Sequence, residues 1–329
     1  MSKYPIDPSQ PVRLIPVYIA KPWGQEIWYT GMESRGVSRV ALADGTMPLD
    51  TYLASDLDRL CDNTDVLLLK ILDPAPAAVQ GDLYFEVHQN KQEVYVVTHV
   101  DEGAWPDGQG AIRFGMSQST RRQYPDDSAF RRAFLEAVQT YEVVRRRIDA
   151  GQAQPDDAEQ EVILRNQMEA FTDFQPLSVA DVVKVPTWTP HALQHGVRVV
   201  EFQTATYERF IISFAQQVVT QDHWDSAHAI ANMQLDTPQA AQFVQIGEGV
   251  EQIVTFDDFN AWRCRGNAAS FVLPSHLPYA VCMAIEAGPV VGDLALDAEE
   301  ACFVPRKAIH NGANIHTGGG TLLIAAPGL

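Results

Sequence analysis

The sequence predicts a mainly β protein of jelly-roll or sandwich type, broken once by a helical hairpin. Three observations carry this. Residues 12–100 run in short stretches rich in Val, Ile, Tyr and Trp, cut by Pro, Gly and Asp. Residues 243–329 repeat that texture, with turn signals at Gly247-Glu248-Gly249, Arg265-Gly266-Asn267 and Gly318-Gly319-Gly320. Between them, from about Met116, the apolar period becomes helical. Many short strands joined by turns suit a sandwich and not a parallel α/β sheet.

Taken in order, residues 65–72 and 93–98 read as strands, the first with both faces buried. Residues 128–151 place Phe130, Phe134, Val138, Tyr141, Val144 and Ile148 at helical spacing, with Ser128 as the expected N-cap and Gly151 as the stop. A second helix is expected over 155–171, turning Val162, Ile163, Met168 and Phe171 inward. Arg145-Arg146-Arg147 falls in the last turn of the first helix, where cations complement the dipole on a solvated face. Strands resume at 181–185 and 196–202.

The chain has 329 residues, more than a typical single domain, and no low-complexity linker, so two closely packed units with an insertion are expected. A net charge of −18 argues against nucleic-acid and anionic-membrane partners, which need a positive field. It also opposes an anionic substrate unless a few Lys and Arg residues are placed to receive it. Apolar runs such as 320–326 are far shorter than the roughly 20 residues that cross a bilayer, and the start shows no basic segment followed by an apolar one. A cytoplasmic protein is the expectation. Cys61, Cys264, Cys282 and Cys302 are widely spaced, without a C-x-x-C pair, and read as reduced core residues.

Chemistry concentrates in two segments. Glu86 and His88 stand two residues apart, so on a strand both point to one face, and Glu93 opens the next β-like run after about four residues, as a hairpin would return it. Val185-Pro186-Thr187-Trp188-Thr189-Pro190-His191 offers a further imidazole on a proline-braced turn. Imidazole and carboxylate together suit Zn, Mn or Fe as a divalent ion.

These segments resemble the cupin superfamily, in which His-x-His is followed by Glu and later by Pro-x-Gly-x-x-His. Within it the chain is most similar to type I mannose-6-phosphate isomerases. Lys21-Pro22-Trp23-Gly24 matches that family's opening, Leu68-Leu69-Lys70-Ile71-Leu72 its Leu-Phe-Lys-x-Leu, Glu86-Val87-His88 its Gln-x-His, and Asn90-Lys91-Gln92-Glu93 its Gly-Lys-x-Glu. Val185 to Ala192 matches Val-Pro-x-Gly-x-x-His-Ala, Glu201 the glutamate on the following strand, and Phe303-Val304-Pro305 the Val-Pro stretch near the end. The chain departs from the pattern in having Glu86 for glutamine and Trp188 for glycine, in matching the family's arginine only approximately at Arg209, and in a shortened segment between His191 and Glu201.

The resemblance implies tandem cupin jelly-roll barrels: a metal-binding unit over 1–115 and 177–237, a helical insertion over 116–176, and a second, metal-free jelly roll over 238–329. It implies a divalent metal, Zn with Mn or Fe as alternatives, held by Glu86, His88, Glu93 and His191. Lys91, Glu201 and Arg209 are the implied catalytic residues, the first two for proton transfer between C2 and C1, the third for phosphate or developing negative charge. The implied reaction interconverts mannose 6-phosphate and fructose 6-phosphate or a related sugar, in a monomer or homodimer. An iron-dependent cupin dioxygenase and a non-catalytic sugar-binding cupin are the alternatives. His276, His310 and His316 lack a preceding metal motif and are expected to be structural, as are His223 and His228.

Overall fold

A computed structural model describes residues 6–62, 64–213, 215, 223–267 and 269–328. Four antiparallel sheets stack as layers of five, six, nine and four strands, with an additional two-stranded ribbon. Three apolar cores separate the layers, one in each gap. The strand orders are open at both ends, so the expected jelly-roll barrels are open sandwiches.

The six-stranded sheet runs in the order Val182–Val185, Glu93–Val100, Val197–Gln203, Leu68–Pro74, Gly24–Trp28, Val17–Lys21. Its central strands are buried on both faces, and strand alternation sorts their residues. Leu69, Ile71, Val94, Val96, Val200 and Phe202 pack toward the nine-stranded sheet. Lys70, Leu72, Tyr95, Val97, Val199 and Glu201, of the opposite parity, face the five-stranded sheet. Register then sets Tyr95 opposite Glu201, Glu201 opposite Lys70, and Lys70 opposite Trp28, a polar row across four strands.

The C-terminal strands divide between the nine-stranded sheet and the four-stranded sheet, the latter made of Ser270–Val272, Asn314–His316, Val290–Val291 and Leu294–Ala295. Val12–Ile15, Arg39–Leu42 and Gly45–Pro48, grouped with the metal-binding unit on sequence, hydrogen-bond into the nine-stranded sheet, Val12 standing opposite Phe303.

The helical insertion forms Asp127–Asp149 and Asp157–Glu169. The first helix starts two residues earlier than its expected cap allowed: Asp126, not Ser128, accepts the Ala129 N–H at 2.7 Å. Gly151 ends it at φ +67°. Each cation of the arginine run has a carboxylate partner: Asp149, Glu142 and Asp157 respectively. The second helix corrects the sequence reading. It turns Glu161 and Met168 inward, with the Tyr141 hydroxyl donating to Glu161 at 2.9 Å, and leaves Val162 and Ile163 exposed. Among the described residues no helix is long and apolar enough to cross a membrane, and all four cysteines are buried and free.

Candidate functional site

Glu86 sits on Phe85–Val87, in the five-stranded sheet between His191–Leu193 and Phe210–Ser213. Glu93 begins a strand of the facing six-stranded sheet. The turn between them crosses from one sheet to the other, in place of the hairpin expected from spacing. Glu208 fixes that turn: its carboxylate accepts the N–H groups of Gln89 and Asn90, the latter at 2.8 Å, and the Asn90 side chain at 2.6 Å.

Glu86, His88 and His191 converge so that one potential ligand atom from each lies within 4.8 Å of the others. His88 and His191 are 1% and 2% exposed. His88 has two buried ring nitrogens without a hydrogen-bond partner, a costly arrangement unless a cation satisfies one of them. His191 Nδ1 donates to the Thr189 carbonyl at 2.9 Å, which leaves Nε2 as the lone-pair side facing the site. Two imidazoles with a carboxylate fit a borderline divalent ion. Glu93 lies 3.4 Å from His88 Nε2 and 3.1 Å from His191 Nε2. Its oxygens are engaged by Lys91 Nζ at 2.5 Å and by the Tyr95 hydroxyl at 2.6 Å, so it borders the compact triad from its own side.

Electrostatics sharpen the contrast between the imidazoles. Burial and the neighbouring Lys91 push His88 well below 6.5. Burial acts the same way on His191, but its contact with Glu93 and the charges of Glu93 and Glu86 together raise it. Glu93 stays ionised despite burial because Lys91 and His88 hold it down.

Glu86 of the triad and the neighbouring Glu93 line a cleft of about 580 Å³, counting the part open to solvent. All three residues expected to be catalytic stand in this cleft. Lys91 is 6% exposed and not the solvated turn lysine its local sequence suggests. Glu201 is 3.5 Å from Lys70 Nζ, and burial together with nearby Glu93 raises it to about 8 against the opposing charge of Lys70. Arg209 Nη1 lies 3.8 Å from Glu86 Oε2 and its guanidinium covers the Tyr84 ring.

Sequence reading gave no role to Lys70, Lys21, Glu26 or Gln203, which line the same cleft. Lys70 donates to Gln203 at 2.6 Å, and Lys21 pairs with Glu26 at 3.1 Å. The runs Lys21-Pro22-Trp23-Gly24 and 68–72 were the available signals, since both belong to the resemblance. Trp188 adopts φ +60°, the left-handed conformation glycine takes without strain. Its N–H donates to the His88 carbonyl at 2.6 Å, and its ring stacks on Phe210 at 5.8 Å, which hold that conformation. His276, His310 and His316 are exposed and join no cluster of potential ligands among the described residues.

No family model matches the chain, and no curated protein does. Solved structures do. A single-site mutant of phosphomannose isomerase from Salmonella typhimurium superposes with a TM-score of 0.73 at 15% identity, over 97% of this chain and 100% of that one. Mannose 6-phosphate isomerase from Salmonella typhimurium bound to fructose 6-phosphate and zinc gives 0.71 at 14% identity, with the same coverage. A zinc-bound holo form of mannose 6-phosphate isomerase also gives 0.71 at 14%. The fold of this chain is therefore the cupin fold of phosphomannose isomerase.

Proposed function

We propose that this protein is a metal-dependent aldose–ketose isomerase acting on a sugar of the mannose and fructose type, free or as the 6-phosphate. The observation that carries the reading is the convergence of Glu86, His88 and His191 beside a cleft that Glu86 lines together with Lys91, Glu201 and Arg209. These three ligands and Glu93 would hold the ion, Zn being favoured by the imidazole content, with Mn or Fe as alternatives. When bound, such an ion supplies Lewis-acid polarisation of the substrate's carbonyl and adjacent hydroxyl oxygens.

The chain's own groups do the rest. Glu201, poised near 8, can both take the C2 proton and return it at C1 close to neutral pH. Lys70, at 3.5 Å, favours the carboxylate form and keeps the group reactive. The Lys91 ammonium and the Arg209 guanidinium meet negative charge as it develops on the substrate oxygens. The apolar core behind Tyr95 and Leu72 excludes water from the floor of the cleft.

The test is to incubate metal-loaded protein with aldose and ketose pairs in deuterium oxide, following product and the label at C1 and C2. Interconversion with solvent label is expected. Full metal occupancy with no interconversion of any pair would sink the reading, and oxygen uptake by iron-loaded protein would favour the dioxygenase.

A further inference from the structure

We propose that the substrate is an unphosphorylated sugar, and that Lys21, Glu26, Trp28 and Arg35 form a subsite selecting hydroxyls over phosphate at the end remote from the metal ligands. This rests on the isomerase reading for the orientation of the substrate and extends it to the substrate class.

The row of polar residues runs across the six-stranded sheet from Glu93–Val100 to Gly24–Trp28, three strands along. Lys91 and Arg209 stand at the metal end, each against a carboxylate of the candidate ligand set. The far half of a sugar anchored there therefore meets Lys21 and Arg35, and both are already matched. Lys21 Nζ is 3.1 Å from Glu26 Oε1, and Arg35 is paired with Glu33. The second oxygen of Glu26 takes the Trp28 indole N–H at 2.6 Å. Burial alone would protonate Glu26, but Lys70 and Lys21 hold it at about 2, so it is a carboxylate at every working pH.

A phosphate placed here would face a buried, permanent negative charge and would have to separate it from Lys21, leaving a desolvated carboxylate uncompensated. Glu201, near 8, leaves four carboxylates against the five cations of the cleft at neutral pH, but the two cations at this end, Lys21 and Arg35, each have their own carboxylate, and the chain as a whole carries −18. A hydroxyl fits the same groups well. It donates to the carboxylate and accepts from the ammonium, the two roles the Lys21–Glu26 pair presents side by side. Trp28 and Tyr207, with ring centroids 5.8 Å apart, add apolar faces for the C–H side of a sugar, and the Arg35 guanidinium lies over both at 5.3 and 5.9 Å.

The experiment uses zinc-loaded full-length protein and two open-chain probes that cannot be isomerised, D-mannitol and its monophosphate, titrated by calorimetry. Turnover of D-mannose and D-mannose 6-phosphate is measured in parallel. Mannitol should bind at least tenfold more tightly than its phosphate, and mannose should show at least a tenfold higher kcat/KM. Preferential mannitol binding without turnover of either sugar would keep the subsite and remove the isomerase reading. Equal or tighter binding of the phosphate, or binding of neither probe, would overturn the subsite whether or not isomerisation occurs. Glu26→Gln should shift the affinity ratio at least tenfold toward the phosphate. Glu33→Gln, near the surface, should shift it the same way by freeing Arg35, and it keeps the test intact if Glu26→Gln does not fold. An unchanged ratio in the folded variants rejects the assignment.

Discussion

Val197–Gln203 in the six-stranded sheet and Tyr279–Ala284 in the nine-stranded sheet are both interior strands, flanked on either side and buried along their length. The first carries Glu201 and Gln203 on its cleft-facing side, next to Lys70 and Tyr95. The second carries no charged side chain, with Cys282 directly opposite Cys302 and Val281 opposite Phe303. One sandwich spends buried positions on charges that must be matched pair by pair, which burial makes costly. The other, along Tyr279–Ala284, carries no charge to match, and its one polar group there, the Tyr279 hydroxyl, donates to the Asp65 carbonyl at 2.7 Å and accepts the Leu67 N–H at 2.8 Å. The difference separates a sandwich organised around a ligand from one organised around stability, and substitutions should divide along the same line.

The largest effect is expected at the triad. His88→Ala and His191→Ala should each take the bound metal from about one ion per chain to near zero, read by elemental analysis, with turnover lost and the fold retained. Full occupancy in both variants would break the assignment of these residues as ligands.

Ile324→Ala probes the other side. Ile324 is fully buried between the nine- and four-stranded sheets, and shortening it should cost roughly 2–5 kcal/mol of stability by urea unfolding. Metal content and kcat/KM of the folded fraction should stay at wild-type values. A specific loss of activity would show that the two sandwiches are coupled, against the comparison.

A pH series sharpens it further. In chelator-treated protein the Glu201 carboxyl lies near 8, above its ordinary 4.5. Between those values the folded chain binds more protons than the unfolded one, so stability should fall as pH climbs from about 4.5 to 8 and level off above. Glu201→Gln should flatten that slope in urea melts at successive pH values. Parallel curves for the two proteins would place the proton elsewhere.

The two sandwiches were also unequally legible. Glu86, His88 and His191 were readable because each lies in a short motif whose spacing matters locally, and the helical hairpin because its period differs from that of its surroundings. Lys70 was not, since its place comes from register among strands far apart in sequence, Glu201 standing opposite it across 131 residues, and Lys21 and Glu26, on one hairpin, join it only through the pairing of Gly24–Trp28 with Leu68–Pro74. The same non-locality hid the entry of Val12–Ile15 into the C-terminal sheet, where Arg13 stands opposite Cys302. Val162 and Ile163 were misread because apolar character was taken for inward orientation, whereas Glu161 takes the inward position through its bond to Tyr141.

The smallest expected effect is the most discriminating for the metal end. Glu86 is the only member of the compact triad that is not fully buried, and it stands where the resembled family has a neutral amide. Its Oε2 is buried without a hydrogen bond, and Arg209 approaches to 3.8 Å, beyond hydrogen-bonding distance. Glu86→Gln keeps the shape and an oxygen donor while removing one charge. Stability should therefore change by no more than about 1 kcal/mol, since the long Arg209 contact is the ion pair it loosens. The metal should still bind, with affinity reduced by about tenfold or less, and most for ions that favour carboxylate oxygen, so that preference moves from Mn toward Zn. Competition titrations of wild type and Glu86→Gln with the two ions give the ratio directly. An identical ratio would put Glu86 outside the ligand set and leave His88, His191 and Glu93 to hold the ion; complete loss of binding would mean that its charge, and not only its oxygen, assembles the site.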